Sequence, residues 1–371
     1  MGLERKRFPA VGEVRRRQPG RSTIIDVAKA ARVHPSTVSR VLSDQPGHTL
    51  RPETRARVLA VVDQLRYRPS ALARSLRLKR TLTLGMLVPD IANMFLAGII
   101  KGAEVAAHER GYTLILCNTA DIPEREATYI RVLREREVDG VLVASTRMAD
   151  GTIDGLRDDG FPFVLVNRAA GCADDLVVTV DNRRSAALVV EHLVERGHTR
   201  IAHVAGPRST TTGAERIAGV ADAARRLGIV AEVVEAEAWS ELGGYRAARQ
   251  LFRDVPPTAI FGANDLIALG ALRAAREAGL RMPDDVALAG FNDTPEAELI
   301  GLTTVHVDQE EMGARAASLL IARLEGGPIS ERNVVLPAEL VVRASTSRVW
   351  KSVRPGPAWP APAEPHSKAI A

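Results

Sequence analysis

The chain has 371 residues, 46% hydrophobic and 26% charged, which excludes both a single ordinary core and a disordered polymer. Its net charge of +5 is unevenly placed: residues 1–80 hold 19 Lys and Arg against 6 Asp and Glu (+13), and the remaining 291 hold 31 against 39 (−8). No apolar run nears the roughly 18–20 residues of a membrane span, and Cys117 and Cys172, in no CxxC arrangement, point to reduced thiols in a cytoplasmic protein.

Residues 1–21 are basic, lack the apolar core of a secretory signal and are expected to be a disordered leader. The basic excess continues into patterned sequence at 22–68, which marks a small polyanion-binding head. Thr23 is placed as the N-cap of a short helix, with Asp26 in its first turn and Val27, Ala28 and Ala31 on its buried side. "ARVH" makes a tight turn, and Pro35 opens a second helix whose Val38, Val41 and Leu42 face inward. A third helix, "PETRARVLAVVDQLRY", turns Val58, Leu59, Val62 and Leu65 to one apolar face. Three such helices form an all-α helix-turn-helix.

The polar positions of the second helix are Ser36, Thr37, Ser39 and Arg40, with little bulk and no acid. A helix facing only water favours Glu and Lys there. Small hydrogen-bonding groups suit base edges, where an acid would repel phosphate. Arg40 can fork onto guanine O6 and N7, worth ~1–3 kcal/mol of discrimination. Ser36 reads bases weakly, and Thr37 and Ser39 suit phosphates. Residues 69–80, "PSALARSLRLKR", predict a hinge helix and linker, too short to be helical alone in water.

From Thr81 the texture changes. Apolar runs such as "TLTLGMLV", "YTLILC", "GVLVAS", "PFVLVN", "RIAHVAG", "TAIFGAN" and "VALAGFN" alternate with helical stretches. Parallel, doubly wound α/β sheets in two lobes are expected over 81–346. The first lobe takes 81–180 with 308–329, the second 181–307 with 330–346, and 347–371 is a Pro/Ala-rich disordered tail. Ligands of such lobes bind at the carboxyl ends of strands. Asn93, Phe95, Asn167, Arg216, Trp239, Asn264, Asn292 and Asp293 fall at such ends. Taken singly they have simpler readings: Asn and Asp as turn formers and caps, Arg216 as a surface ion-pair partner, Trp239 as a strand–helix bridge.

Enzyme signatures are absent: no GxGxxG after a first strand, no GxxxxGK[ST], no HExxH and no GxSxG. His192 and His198 are six apart, off metal-ligand spacing on a helix. Neither a metal nor another cofactor is expected. A secreted small-molecule binding protein is the rival reading, against which the basic head and the missing signal both weigh.

"TIIDVAKAARVHPSTVSRVLS", "RPETRARVLAVVDQLRYRPSALARSL", "LGMLVPDIANMF", "EHLVERGHTRIAHVAGP", "AIFGANDLIALGALRAAREAGLRMPDDVALAGFND" and "LTTVHVDQEEMGARAASLL" follow in order. Together they resemble the lactose/galactose-repressor (LacI/GalR) family of bacterial transcription regulators, from about Thr23 to Ser345. The resemblance implies a homodimer with paired helix-turn-helix heads, hinge helices and effector-binding cores of the periplasmic-binding-protein type. Its partners would be a palindromic double-stranded operator and a small effector, sugar-like or alternatively purine-like. Base reading would fall on Pro35, Ser36 and Arg40, with Pro35 restricted to apolar contact. Leu76 would wedge into the minor groove at the operator centre, and Ala73 would allow close approach. His34 stands where the family carries a capping Ser, and "SDQPGHTLRPE" is about two residues longer than the common spacing. The eight strand-end residues would meet at one effector site, hydroxyls donating to Asp293 and the Asn oxygens and accepting from Arg216, with a sugar's C–H face on Trp239.

Overall fold

Thr23 opens the first helix through a reciprocal capping box. Its hydroxyl lies 3.3 Å from the Asp26 amide, and the Asp26 carboxylate accepts from the Thr23 amide at 2.8 Å. Such a cap typically contributes ~1 kcal/mol. The structure, a computed structural model, describes residues 22–43, 50–67, 80–253 and 255–347. The leader 1–21, most of the loop after the second helix, the hinge with Ala73 and Leu76, and the tail from 348 lie outside the described residues.

The chain divides into two units, Met1–Thr81 and Leu82–Ala371. In the first, α1 (Ile24–Ala31), α2 (Pro35–Ser43) and α3 (Pro52–Gln64) enclose Val27, Ala28, Ala31, Val38, Val41 and Val58. The inward stripe of the third helix is Val58, Val61, Val62 and Leu65, spaced i, i+3, i+4, i+7. Leu59, expected on that face, lies one position off the stripe and is 40% exposed. His34 does the work of a capping Ser. Its ring Nδ1 accepts from the Ser36 amide at 3.3 Å and lies 2.8 Å from the Ser36 hydroxyl.

The second unit runs through β1 (Thr83–Val88), β2 (Thr113–Asn118), β3 (Gly140–Val143), β4 (Phe163–Val166), β5 (Val177–Val180) and β6 (Arg200–Ala205). It continues with β7 (Val230–Glu235), β8 (Ala259–Gly262), β9 (Ala287–Ala289), β10 (Thr304–Val307), β11 (Asn333–Leu336) and β12 (Ala338–Val341). The first lobe holds a parallel sheet in the order β11-β5-β4-β3-β1-β2, the second a parallel sheet β7-β6-β8-β9. Strands β1, β3, β4 and β8 are almost wholly buried, as parallel sheets covered by helices require.

β10 and β12 pair antiparallel as a separate two-stranded sheet, bridged to the chain leaving β9 at Ala289–Thr303 and Asn292–His306. The chain passes from one lobe to the other at Asp181, at Asp308 and at Pro337, since β5 and β11 belong to the first sheet and the helices that follow Asp181 and Asp308 pack in opposite lobes. Residues 333–336 were expected in the second lobe. They instead pair with Val177–Val180, completing the first sheet at an edge, where their alternating exposed and buried side chains fit.

The helix Gln309–Glu325 returns to the first lobe and lies tightly on Met94–Glu109. Glycine sets that approach: a Cβ on Gly313 would stand 1.9 Å from the Ile99 carbonyl oxygen. Gly313→Ala therefore forces two backbones apart, and chemical denaturation should show a loss of ~2–4 kcal/mol. Gly155→Ala is the control: this helical glycine has nothing within 4 Å of its added Cβ, and the substitution should gain ~0.5–1 kcal/mol.

Candidate functional site

The head presents α2 as a short polar edge. Ser36 and Arg40 are exposed, while Pro35, Thr37 and Ser39 are half-buried. Lys29, Arg32, Arg51, Arg55, Arg57 and Arg66 of the head are also exposed, against the exposed acids Glu53 and Asp63, and the second helix itself contains no acid. The Ser36 hydroxyl is held by His34, and the Thr23 hydroxyl donates to Asp26 at 2.7 Å. Both hydroxyls are committed within the head; Arg40 is the long, exposed side chain of the second helix.

In the second unit a cavity of about 370 Å³ opens where the strands of both sheets end. Pro89 and Asp90 follow β1, Asn118, Ala120 and Asp121 the end of β2, Ala144 β3, and Asn167 and Arg168 β4. From the other lobe come Thr212 and Arg216 on the helix Thr211–Leu227, Ala238, Trp239 and Ser240 after β7, Asn264 after β8, and Asn292 beyond β9. Facing carboxyl ends of two parallel sheets are the expected place for a ligand in such folds.

Of the residues expected at an effector site, Asn93, Phe95, Asn167, Arg216, Trp239, Asn264 and Asn292 line this cavity. Asp293 does not. Its carboxylate pairs with Arg343 Nη2 at 2.7 Å and His306 Nδ1 at 3.0 Å. Of the two neighbours, the cavity takes Asn292. Two of the asparagines serve both readings. Asn93 and Asn264 cap the helices Met94–Glu109 and Asp265–Glu277, accepting from Phe95 and Ile267 amides at 3.1 and 2.8 Å, while still lining the cavity.

Arg216 is 2% exposed. Its Nε donates to Asn182 Oδ1 at 3.0 Å, and its Nη1 donates to the Ala263 carbonyl. The guanidinium lies 3.5 Å from the Phe291 ring centroid and 5.7 Å from that of Trp239. Burial pulls its pKa down to about 9, opposed by Asp265 and then Glu215, so it remains charged at neutral pH. Trp239 has room for its ring only because residue 206 is glycine, where a Cβ would come 2.4 Å from the indole. Four buried polar atoms of its lining lack a hydrogen-bond partner: Asn118 Oδ1, Asn167 Oδ1, Asn292 Oδ1 and the Trp239 indole nitrogen; Asp293 Oδ1, beside the cavity, lacks one too although Arg343 Nη2 is 2.7 Å away. Asn167 and Asn292 also adopt positive φ, 65° and 118°. Orphaned amides and strained backbone at one cavity are what a binding site retains and a purely structural core removes.

Sequence reasoning missed Arg168, Asp121, Asn118, Asp90 and Thr212. Arg168, 4% exposed, donates to Asp121 Oδ1 at 2.9 Å and lies 6.0 Å from the Trp239 ring centroid across the cleft. Nothing local in the sequence marks it: its partners Asp121 and Trp239 are distant along the chain. Among the described residues no cluster of His, Cys, Asp and Glu could hold a metal, and no helix is long and apolar enough to cross a membrane.

Residues 23–70 match the model of the bacterial regulatory proteins of the lacI family, and 190–346 match the periplasmic binding protein-like domain. The HTH-type transcriptional regulator DegA of Bacillus subtilis (strain 168) is 34% identical over 335 residues, covering 88% of this chain and 98% of its own. The chain belongs to the LacI family. Among solved structures, the Lac repressor dimer bound to operator and the anti-inducer ONPF has a TM-score of 0.79 at 28% identity, covering 88% of this chain and 99% of that one. The complex of the transcriptional regulator CelR with cellobiose gives 0.65 at 32% identity, covering 88% and 100%. This LacI-family protein is a DNA-binding transcriptional repressor with a periplasmic-binding-protein-like effector domain, and its relatives are regulators, not enzymes.

Behind the first-lobe wall of the cavity, Glu126 is 5% exposed and accepts from the Ser145 hydroxyl. Burial pushes its pKa up to about 7, with the Ser145 hydrogen bond opposing and Asp150 adding. A carboxyl whose folded pKa is raised binds its proton more tightly in the folded state, so its contribution is lost as pH rises through about 7. Between about pH 5 and pH 8, wild type should lose on the order of 2–3 kcal/mol of stability relative to Glu126→Gln. Denaturant titrations of both proteins at each pH measure the difference.

Proposed function

We propose that the chain binds a palindromic operator as a homodimer and represses transcription in the bacterial cytoplasm. Its operator affinity is set by a sugar or sugar derivative held in the inter-lobe cavity. The observation that carries this reading is the convergence of Arg216, Trp239, Asn93, Asn167, Asn264 and Asn292 on one cavity at facing strand ends. Amides both donate and accept, as hydroxyls do, a guanidinium donates, and an indole face covers C–H surface. A site built to hydrogen-bond hydroxyls rejects analogues that lack them. The CelR structure with cellobiose supports a carbohydrate. A ligand touching both lobes favours one inter-lobe angle, and it shifts operator affinity only through its different affinity for the two states.

On the DNA side, Arg40 reads guanine, Pro35 and Ser36 add weaker base contacts, and Thr23, Thr37 and Ser39 lie by the phosphates. Leu76 and Ala73 act at the operator centre. Selection of bound duplexes from a random pool, followed by anisotropy titrations with and without a panel of neutral sugars, tests the whole reading. A palindrome should emerge and one sugar should change its affinity. Preference for no palindrome, or indifference to every sugar, would overturn it.

Two substitutions separate the parts. Arg40→Ala should cost ~1–3 kcal/mol on the selected operator and almost nothing on random DNA, as salt-matched competition measures. Arg216→Ala should abolish the sugar response while operator affinity without sugar stays within about twofold.

A further inference from the structure

Asp293 stands beside the cavity without lining it, and its surroundings give it a different task. The residue before it, Asn292, lines the cavity, and both carry positive φ, 118° and 59°. Asn292 is tied on both sides. Its amide donates to the Val305 carbonyl at 2.8 Å, and its carbonyl accepts from Gln309 Nε2 at 2.7 Å. Gln309 is the first residue of the helix that enters the first lobe. The Asp293 carboxylate then holds two elements at once. One oxygen meets His306 on β10, two residues before the crossing at Asp308. The other meets Arg343, which follows β12, the strand that enters from the crossing at Pro337. Arg343 is fixed in turn, its amide donating to Thr303 Oγ1 at 2.8 Å and its Nη1 to the Leu302 carbonyl at 2.9 Å.

We propose that Asp293 is a positioning residue that joins the effector-cavity wall to two of the three lobe-connecting segments, and so sets the inter-lobe angle rather than holding the effector. It rests on the reading of the cavity as the effector site. The geometry favours a joint: the Asp293 side chain is 14% exposed, His306 lies on β10 while Arg343 follows β12, and both stand within ion-pair distance of the carboxylate. A shift of Asn292 by a ligand is passed through one peptide bond to the strands about which the lobes turn. Hinges of this kind consist of a few element-terminal residues that absorb the backbone change.

The test is the distance between lobes in the full chain without any effector. Spin labels at exposed Arg131 and Arg276, one on a helix of each lobe, with Cys172→Ser to remove the partly exposed thiol, report the distance distribution. Wild type should give one narrow distribution. Asp293→Asn, which keeps shape and removes charge, should broaden or shift it by several ångströms, and His306→Gln, which breaks one arm at a half-exposed residue, should do so to a lesser degree. Near-ultraviolet circular dichroism of the separate lobes' aromatics should stay unchanged, which a general loss of packing would not allow. An Asp293→Asn distribution matching wild type overturns the proposal. If that variant does not fold, an unchanged distribution in both His306→Gln and Arg343→Gln overturns it. Because no effector enters the experiment, failure here leaves the sugar-responsive reading standing, and failure of that reading leaves the joint intact.

Discussion

The guanidinium of Arg216 is almost free of water, and the second unit is arranged around keeping it charged. Moving such an ion out of solvent costs several kcal/mol unless hydrogen bonds and ring faces replace the lost hydration. Asn182 and the Ala263 carbonyl supply two acceptors, and Phe291 supplies a ring face at 3.5 Å. Asn182 in turn donates to Glu215 at 3.0 Å, so the balancing negative charge is delivered through an amide rather than by direct contact. No carboxylate lies within ion-pair distance of Arg216 in the described residues, and its charge is directed at the cavity rather than neutralised beneath it. An apolar side chain of similar volume would be the simpler solution for stability alone. The arrangement makes sense for a residue whose partner comes and goes.

The rest of the cavity follows the same logic. Parallel sheets bring their strand ends to one side, and two such lobes facing each other double the number of ends available. Several ends contribute a residue that closes a strand or caps the next helix, and Asn and Asp are favoured there by backbone chemistry. Asn264 thus both caps a helix, its amide oxygen accepting from Ile267, and lines the cavity. The DNA head is a separate solution in a separate unit. Its cations are exposed and its small core is apolar, while the acidic body carries its charge elsewhere.

Family motifs made the two-part architecture and seven of the cavity residues legible in the sequence. Position within a strand end was harder. Asn292 and Asp293 are neighbours of similar chemistry, and only the register of the chain leaving β9 decides which one turns inward. Arg168 was overlooked because an arginine after an asparagine has no signature of its own; its burial depends on Asp121 from another strand and Trp239 from another lobe. The strand at 333–336 carries no mark of its lobe, because its partner β5 lies more than a hundred residues earlier in the chain. On α3 Leu59 was expected on the inward face, but it stands one position off the stripe and is exposed, while Val61, not anticipated, packs on the core. His34 shows the opposite case: an unusual residue at a cap position proves able to cap, through a ring nitrogen instead of a hydroxyl.

The most direct measurement is a crystal structure of the chain bound to the sugar that changes its operator affinity. The account predicts electron density in the cavity, bonded to the Arg216 guanidinium and to Asn264 or Asn292, with one ring face on Trp239 and no contact to Asp293. Density at any other place on the molecule, or a ligand held by Asp293 with Arg216 untouched, would contradict it.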